Sequence, residues 1–142
     1  MGTTAATDNA GIPYAGQNRF YLKENTVVIP ATATTGDIYE LLTIPAKTRV
    51  LATIVEIVSK GTATGLTANI GITGDDADGF DAGIDLTAAN GTSYTSAGGT
   101  DAYATATGKY VTTQDTIDAI LTVNTMTVGA TVKAKAICIN CA

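Results

Sequence analysis

The chain has 142 residues, the usual length of a single domain, and carries eight Lys and Arg against 13 Asp and Glu. Its net charge of −5, with no cluster of basic residues, argues against binding to a nucleic-acid backbone. No apolar run reaches the roughly 20 residues of a membrane span, and residues 1–17 do not resemble a signal peptide. We therefore expect a protein made in a cytoplasm, with neither nucleic acid nor membrane as partner.

The composition is apolar but low in aromatic and charged residues. Apolar residues make up 45% of the chain, Trp is absent and Phe occurs twice. Charged residues are 15%, against about 25% in typical soluble domains. We expect a core of small and β-branched side chains and a surface that packs against other subunits, although secreted β-domains share this composition.

The first 24 residues are polar, rich in Gly and Ala, and without periodicity. The exception is the cluster Arg19, Phe20, Tyr21 and Leu22. We interpret residues 1–24 as an extended arm, of which residues 1–12 are expected to be a frayed end, and 25–142 as a single β-sandwich domain. The apolar members of the cluster need cover, which a neighbouring subunit could supply, so these four residues are the candidate interface.

Strand patterns begin after the arm, in residues 26–30, 37–45 and 47–61. In the third run, one face is predicted to hold Val50, Ala52, Ile54, Glu56 and Val58, and the other Leu51, Thr53, Val55 and Ile57. Because both faces are largely apolar, we expect this strand to be central.

Residues 66–74 alternate strictly, with Leu66, Ala68, Ile70 and Ile72 on one face. Residues 84–110 are rich in Gly, Ala, Thr and Ser and predict loops and short strands. Two strands close the chain. Their predicted inward faces are Ile117, Ala119, Leu121 and Val123, then Val128, Ala130, Val132, Ala134 and Ala136. The short connection between them predicts an antiparallel hairpin.

No segment shows a 3.6-residue repeat, and the abundance of β-branched residues favours strands. Six to eight strands without crossover helices predict an all-β, antiparallel fold. We expect a β-sandwich of jelly-roll-like or Greek-key topology, with a closed barrel as the alternative.

An acidic segment at residues 71–83 partly matches a calcium-binding loop. Asp76, Asp78 and Gly79 fit three positions of the twelve-residue pattern, but Gly74 stands where the first Asp is required and no helices flank the segment. We therefore predict a turn, since Asp and Gly both favour turns, with Phe80 packed inward. A non-helical calcium site is the alternative, formed by Asp75, Asp76, Asp78 and Asp81.

Two further motifs bear on chemistry. Cys138 and Cys141 have the spacing of a metal or redox half-site, but the chain has no His and no other Cys. Residues three apart in a strand are separated by about 10 Å, too far for a disulfide, so we expect free thiols, with a bridge between subunits as the alternative. The chain also lacks a phosphate-binding glycine motif, so we expect no catalytic residues and no cofactor.

Three short motifs occur along the chain. The first is an I-P-A-x-T turn at Ile44, Pro45, Ala46 and Thr48. The second approximates I-G-x-T-x-D-x-D-x-F with Ile70, Gly71, Thr73, Asp75, Asp78 (one place off) and Phe80. The third is T-x-x-D-T-I-D at Thr112, Asp115, Thr116, Ile117 and Asp118. With these motifs the chain resembles small virion proteins of tailed bacteriophages, over roughly residues 36–139.

The resemblance implies a capsid decoration, or cement, protein. Such a protein is a β-sandwich, commonly a homotrimer, that binds the outside of the capsid and bridges major capsid subunits. We expect the arm to be the clamp, so that deletion of residues 1–24 leaves a folded domain that no longer decorates particles. The alternatives are a tail or head-fibre component, or a secreted β-module that binds calcium or carbohydrate.

Overall fold

The computed structural model describes residues 2–4, 19–62, 66–96, 101–103, 108–122 and 126–141. Within these ranges the chain forms ten β-strands and no helix, which confirms the all-β prediction. The strands are β1 (Thr3–Thr4), β2 (Phe20–Ile29), β3 (Ile38–Ile44), β4 (Thr48–Ser59), β5 (Thr67–Ile72), β6 (Asp76–Asp85), β7 (Ser93–Thr95), β8 (Lys109–Val111), β9 (Asp115–Leu121) and β10 (Ala130–Asn140). The residues described thus include no helix that could cross a membrane.

The strands form two sheets, which confirms the predicted sandwich. Sheet A has the order β1-β3-β9-β5-β6, and sheet B the order β2-β10-β4-β7, with β8 also paired to β4. Every pairing is antiparallel except that of β1 with β3. From β2 to β5 the chain passes from one sheet to the other at each connection. This interleaved strand order is that of a jelly roll.

The core lies between the sheets and consists mainly of Ile, Leu, Val and Ala. In β10 the alternation is regular, with Ala130, Val132, Ala134 and Ala136 buried and the residues between them partly exposed. Phe80 is the fully buried phenylalanine of this core. Burial of one Leu or Ile side chain contributes about 1.5–3 kcal/mol, so the core needs many such residues.

The two predicted faces of β4 are wrong in its second half. Val50 is buried at the start, but Val55 and Ile57 are buried further on, so the inward positions change from even to odd numbers. The pairing with β10 shifts register at two places, where β4 carries an extra residue. A bulge of this kind reverses the side-chain alternation, which is why both faces read as apolar. The central position of β4, between β10 and β7, is confirmed.

The predicted hairpin between the last two strands is wrong. β9 lies in sheet A between β3 and β5, whereas β10 lies in sheet B between β2 and β4. A short connection can cross from one sheet to the other as well as form a hairpin. Ile117, Ala119 and Leu121 are buried as predicted, but Val128 is exposed because it precedes β10 and forms only an isolated bridge with Thr62. Val123 lies outside the described residues.

The acidic segment is a strand for most of its length, not a loop. Only Thr73, Gly74 and Asp75 form the turn, and β6 then pairs with β5. A Cβ added at Gly71 would lie 2.2 Å from the carbonyl oxygen of Asp76, so this hairpin requires glycine there. Phe80 packs inward as predicted, although it does so from the middle of β6.

The arm and the sandwich meet earlier than predicted. Residues 20–24 form the first half of β2 and pair with residues 135–139 of β10. The boundary placed at residue 24 therefore falls inside a strand, and the sandwich begins at Phe20. Thr3 and Thr4 pair with β3 at the edge of sheet A. The rest of the predicted arm, residues 5–18, lies outside the described residues.

Candidate functional site

The outer face of sheet B exposes apolar side chains at the start of β2. Phe20 is 71% exposed and Leu22 54% exposed. Across the strand pair, Phe20 lies opposite Ile139 and Leu22 opposite Ile137, which is itself 37% exposed. Directly opposed side chains of antiparallel strands contact each other, so the four residues form one continuous surface. We call it the apolar patch.

The rest of this outer face is ionic and then apolar again. Glu24 follows Leu22 on β2, and its carboxylate lies 3.6 Å from the ammonium of Lys133 on β10. Lys135 lies opposite Glu24 in the same strand pair. Further along, Val28 and Val58 are again exposed. The outer face of sheet B therefore presents apolar side chains at both ends and charges between them.

The structure separates the four candidate interface residues. Phe20 and Leu22 face outward, whereas Tyr21 faces inward, with its hydroxyl 3.4 Å from Thr48 Oγ1. Burial raises the pKa of Tyr21 above 10.0. Arg19 directly precedes β2, and its carbonyl accepts a hydrogen bond of 3.0 Å from the backbone N–H of Asn140. Since successive residues of a strand point to opposite faces, adjacent apolar residues cannot share one surface.

Sequence reasoning missed Ile137 and Ile139 as members of this surface. Both occupy odd-numbered positions of β10, whereas the predicted inward positions of this strand are the even-numbered ones. The alternation therefore already indicated that their side chains point away from the core. Only the pairing of β10 with β2 shows that they adjoin Phe20 and Leu22.

A charged residue lies beneath the apolar patch. Lys23 is only 1% exposed and faces the space between the sheets. Cys138 is also buried on this inward side, and burial raises the pKa of its thiol to about 12, while the charge of Lys23 opposes that shift. A thiol with so high a pKa is a poor nucleophile at neutral pH, because the thiolate is the reactive form.

No disulfide joins the two cysteines within the chain. Cys138 faces the core, whereas Cys141 follows the end of β10 and is half-buried. The thiol of Cys141 donates a weak hydrogen bond to the carbonyl of Ile139, at 3.6 Å.

The acidic turn is engaged in contacts within the protein. The carboxylate of Asp75 accepts a hydrogen bond from the hydroxyl of Tyr103 and pairs with the ammonium of Lys109. Both contacts lower the pKa of Asp75, and the hydrogen bond from Lys109 has the larger effect. The ring of Tyr103 also packs edge-on against Phe80, with 5.0 Å between ring centroids. Asp75 therefore fixes the end of the hairpin to a distant segment.

The other three acids of the predicted calcium site are not arranged around a common centre. Asp76 has a raised pKa, chiefly because of its hydrogen bond with Asp78. The pKa of Asp81 is raised by burial and by the charge of Asp101. Across the described part of the chain, no three His, Cys, Asp or Glu residues form a group that could hold a metal ion.

An open groove of about 180 Å³ lies beside the Asp75–Lys109 pair, at one end of the sandwich. Its lining includes Ile72, Tyr110 and Thr112. Sites for small ligands usually measure roughly 300–1,000 Å³, so this groove is small for one. Its charged groups Asp75 and Lys109 also bind each other. The exposed outer face of sheet B is the stronger candidate for function.

No protein-family model matches the chain, and no curated protein sequence matches it. Solved structures do resemble it. A chain in the capsid of Ralstonia phage GP4 is 14% identical, with a TM-score of 0.64, and the match covers 93% of this chain and 90% of that chain. A chain in the capsid asymmetric unit of cyanophage Pam1 is 18% identical, with a TM-score of 0.68, and the match covers 92% and 91%.

A third chain, from the acidic stable capsid structure of Helicobacter pylori bacteriophage KHP30, is 18% identical, with a TM-score of 0.55 and coverage of 85% and 91%. At these identities the likeness shows a common fold. The fold of this chain is therefore one found in phage capsids, the class of particle to which the sequence resemblance pointed.

Proposed function

We propose that this protein is a structural component of a phage virion that binds the outside of the capsid and stabilises it by bridging major capsid subunits. One observation carries the proposal: the fold matches chains of three phage capsids, with at least 85% of this chain and 90% of each of those chains covered. Because coverage is high in both directions, the similar chains are small chains of comparable length, not large shell proteins that contain one such domain.

The surface of the molecule supports this proposal. Large apolar side chains are exposed together on one face, and contiguous exposed apolar surface is typical of protein interaction sites. Phe20 and Leu22 are already held in β2, so a partner can bind them without ordering the backbone there. In this proposal Phe20 and Leu22 contact the partner, Tyr21 fixes β2 from the inner side, and Arg19 borders the contact.

Stabilisation of a shell follows from mass action. A ligand that binds only the assembled state stabilises it by about 2.7 kcal/mol per site when its free concentration is 100 times Kd. A homotrimer would multiply the effect, because the second and third contacts on one particle are effectively intramolecular. Many modest contacts of this kind can hold a shell against internal pressure without any catalytic chemistry.

The proposal is tested on particles assembled without this chain. Purified protein is added, and binding is measured by co-sedimentation, the temperature of DNA release by dye fluorescence, and position by cryo-electron microscopy. We expect saturable binding, a higher release temperature, and density on the outside of the capsid between neighbouring subunits. Density on the tail or on a fibre, or no density on the particle, would refute the capsid role.

A further inference from the structure

The two outer faces of the sandwich differ in apolar exposure. Six large apolar side chains of the described residues are well exposed, and all six belong to sheet B or to the segment that leads into β10. They are Phe20, Leu22, Val28, Val58, Val128 and Ile137. Within the described ranges, the exposed large apolar side chains thus lie on the sheet B side of the molecule.

Charge is divided between the sheets in the same way. The strands of sheet A carry seven carboxylates and no Lys or Arg: Glu40, Asp76, Asp78, Asp81, Asp85, Asp115 and Asp118. The strands of sheet B carry five cations and two carboxylates: Lys23, Arg49, Lys109, Lys133 and Lys135, with Glu24 and Glu56. A protein with a net charge of −5 therefore has a cationic sheet.

Not every cation of sheet B is available to a partner. Lys23 is buried and Lys109 is paired with Asp75. On the outer face, Lys133 and Lys135 of β10 are partly exposed next to the apolar patch, and Lys133 is paired with Glu24. A partner that covers this face meets apolar side chains at its ends and, at its centre, two ammonium groups with one carboxylate between them.

A second copy stacked with its sheet A against sheet B does not give a closed assembly. The acidic outer face of sheet A is electrostatically complementary, but the two outer faces of a sandwich point in opposite directions. Copies stacked with sheet B on sheet A would therefore extend as an open filament, because a head-to-tail contact closes only when its rotation forms a ring.

We infer that the outer face of sheet B is the side that docks on the capsid shell, against a protein surface with carboxylates beside an apolar hollow, while sheet A faces solvent. This inference rests on the proposed function. Phe20 and Leu22 enter the hollow, since aromatic and apolar anchors dominate binding energy. Lys135, next to the Lys133–Glu24 pair, meets the carboxylates, and complementary charge mainly speeds association and makes it salt-dependent.

The test compares variants of the two faces in the particle-binding assay. Phe20→Ser and Leu22→Asp change exposed side chains of the apolar patch, and Lys135→Glu reverses a charge beside it. Matched controls are Ala82→Asp, at an exposed position of β6 in sheet A, and Asp78→Lys, which reverses a charge at an exposed position of the same strand. Melting curves and circular dichroism check that every variant folds.

We expect each variant of the apolar patch to bind about 30-fold more weakly or worse, the effect of losing an interface hot spot. Lys135→Glu should weaken binding and reduce its dependence on salt, and both controls should bind like the wild type. A cryo-electron microscopy map of the decorated particle should show sheet B against the shell.

Two kinds of failure can be told apart. If the wild type does not bind particles, the proposed function fails. If the wild type binds but the variants of the apolar patch bind equally well, or sheet A lies against the shell, only the inference is overturned. It is also overturned if Leu22→Asp converts a soluble oligomer into monomers, because the face would then be an interface between copies.

Discussion

Gly79 in β6 is a residue at which a single methyl group would disturb a buried contact. A Cβ added there would lie 2.4 Å from two ring carbons of Tyr103. The same ring packs against Phe80 and lies under the ammonium of Lys109, 4.7 Å from its centroid. Gly79 therefore allows the 101–103 segment to close over β6.

We predict that Gly79→Ala lowers the free energy of unfolding by about 1–3 kcal/mol, the usual penalty for an overpacked site. The ring of Tyr103 must move, and its hydrogen bond to Asp75 is then weakened. Urea denaturation measures the change. Ala82→Ser, at an exposed position of the same strand, is the control and should stay within about 0.5 kcal/mol of the wild type. An equally small effect of Gly79→Ala would contradict the packing described.

A second residue, Asp118 of β9, makes stability depend on pH. Its carboxylate is buried and accepts hydrogen bonds from the hydroxyl of Thr73, at 2.6 Å, and the hydroxyl of Thr116, at 2.7 Å. Burial is the largest influence and raises its pKa above 3.8, while these hydrogen bonds oppose the shift. The folded state therefore holds this proton more tightly than the unfolded state.

For a carboxyl group with a raised pKa, stability decreases as pH rises from the unfolded value through the folded value. We predict that Asp118→Asn removes this decrease, so the variant gains stability relative to the wild type as pH rises above about 4. One unit of pKa difference corresponds to about 1.4 kcal/mol. Urea midpoints for both proteins between pH 3.5 and 7 test the prediction, and a constant difference would contradict it.

At the scale of elements, β2 shows why residues 20–24 were assigned to the arm and not to a strand. An edge strand that is paired on one side and exposed on its outer face has apolar residues at only some positions. Its outward residues Phe20 and Leu22 follow a Gly-rich stretch, and its inward residues include Lys23 and Asn25. Polar inward residues do not give the alternation typical of a strand, so the sequence pattern became clear only from residue 26.

We predict that deletion of residues 1–18 and deletion of residues 1–24 have different results. The first leaves β2 intact and should keep the sandwich folded. The second removes five of the ten β2–β10 residue pairs and the inward side chains of Tyr21 and Lys23, so we expect it to lower the melting temperature by at least about 10 °C.

Circular dichroism melting curves of the two truncated proteins and the full chain give the comparison. Equal melting temperatures for both deletions would show that residues 20–24 belong to the arm after all. Deletion of residues 1–24 removes Phe20 and Leu22 and part of the sandwich together, so the role of these two residues in decoration is better tested with the point variants of the apolar patch.

At the scale of the whole molecule, most of the strand carboxylates lie on one side of the sandwich, in sheet A. Asp75 is bound to Lys109 and Tyr103, and the described residues contain no group of three acids around one centre. A calcium ion present at 100 times its Kd would stabilise the fold by about 2.7 kcal/mol, equivalent to several degrees of melting temperature.

We predict that millimolar calcium or excess EDTA changes the melting temperature by less than about 1 °C. Differential scanning fluorimetry at constant ionic strength measures this, with magnesium as the control for general charge screening. A calcium-specific rise of several degrees would revive the alternative of a calcium-binding β-module.

Sequence alone determined the class of the fold and much of its core. Alternating β-branched residues at 66–72, 117–121 and 130–136 are enough to predict strands and their inward faces, because a strand has a fixed period of two. The absence of His and the low charge followed directly from composition.

Tertiary structure decided everything that depends on which strands are neighbours. The crossing of β9 and β10 to different sheets and the apolar patch formed by β2 with β10 leave no local signal in the sequence, and the bulges of β4 leave only an ambiguous one, two apolar faces. Each arises from pairing between segments far apart in the chain. Local pattern sets which side of a strand is apolar, but hydrogen bonding between distant strands sets which sheet it joins and which side chains meet on its surface.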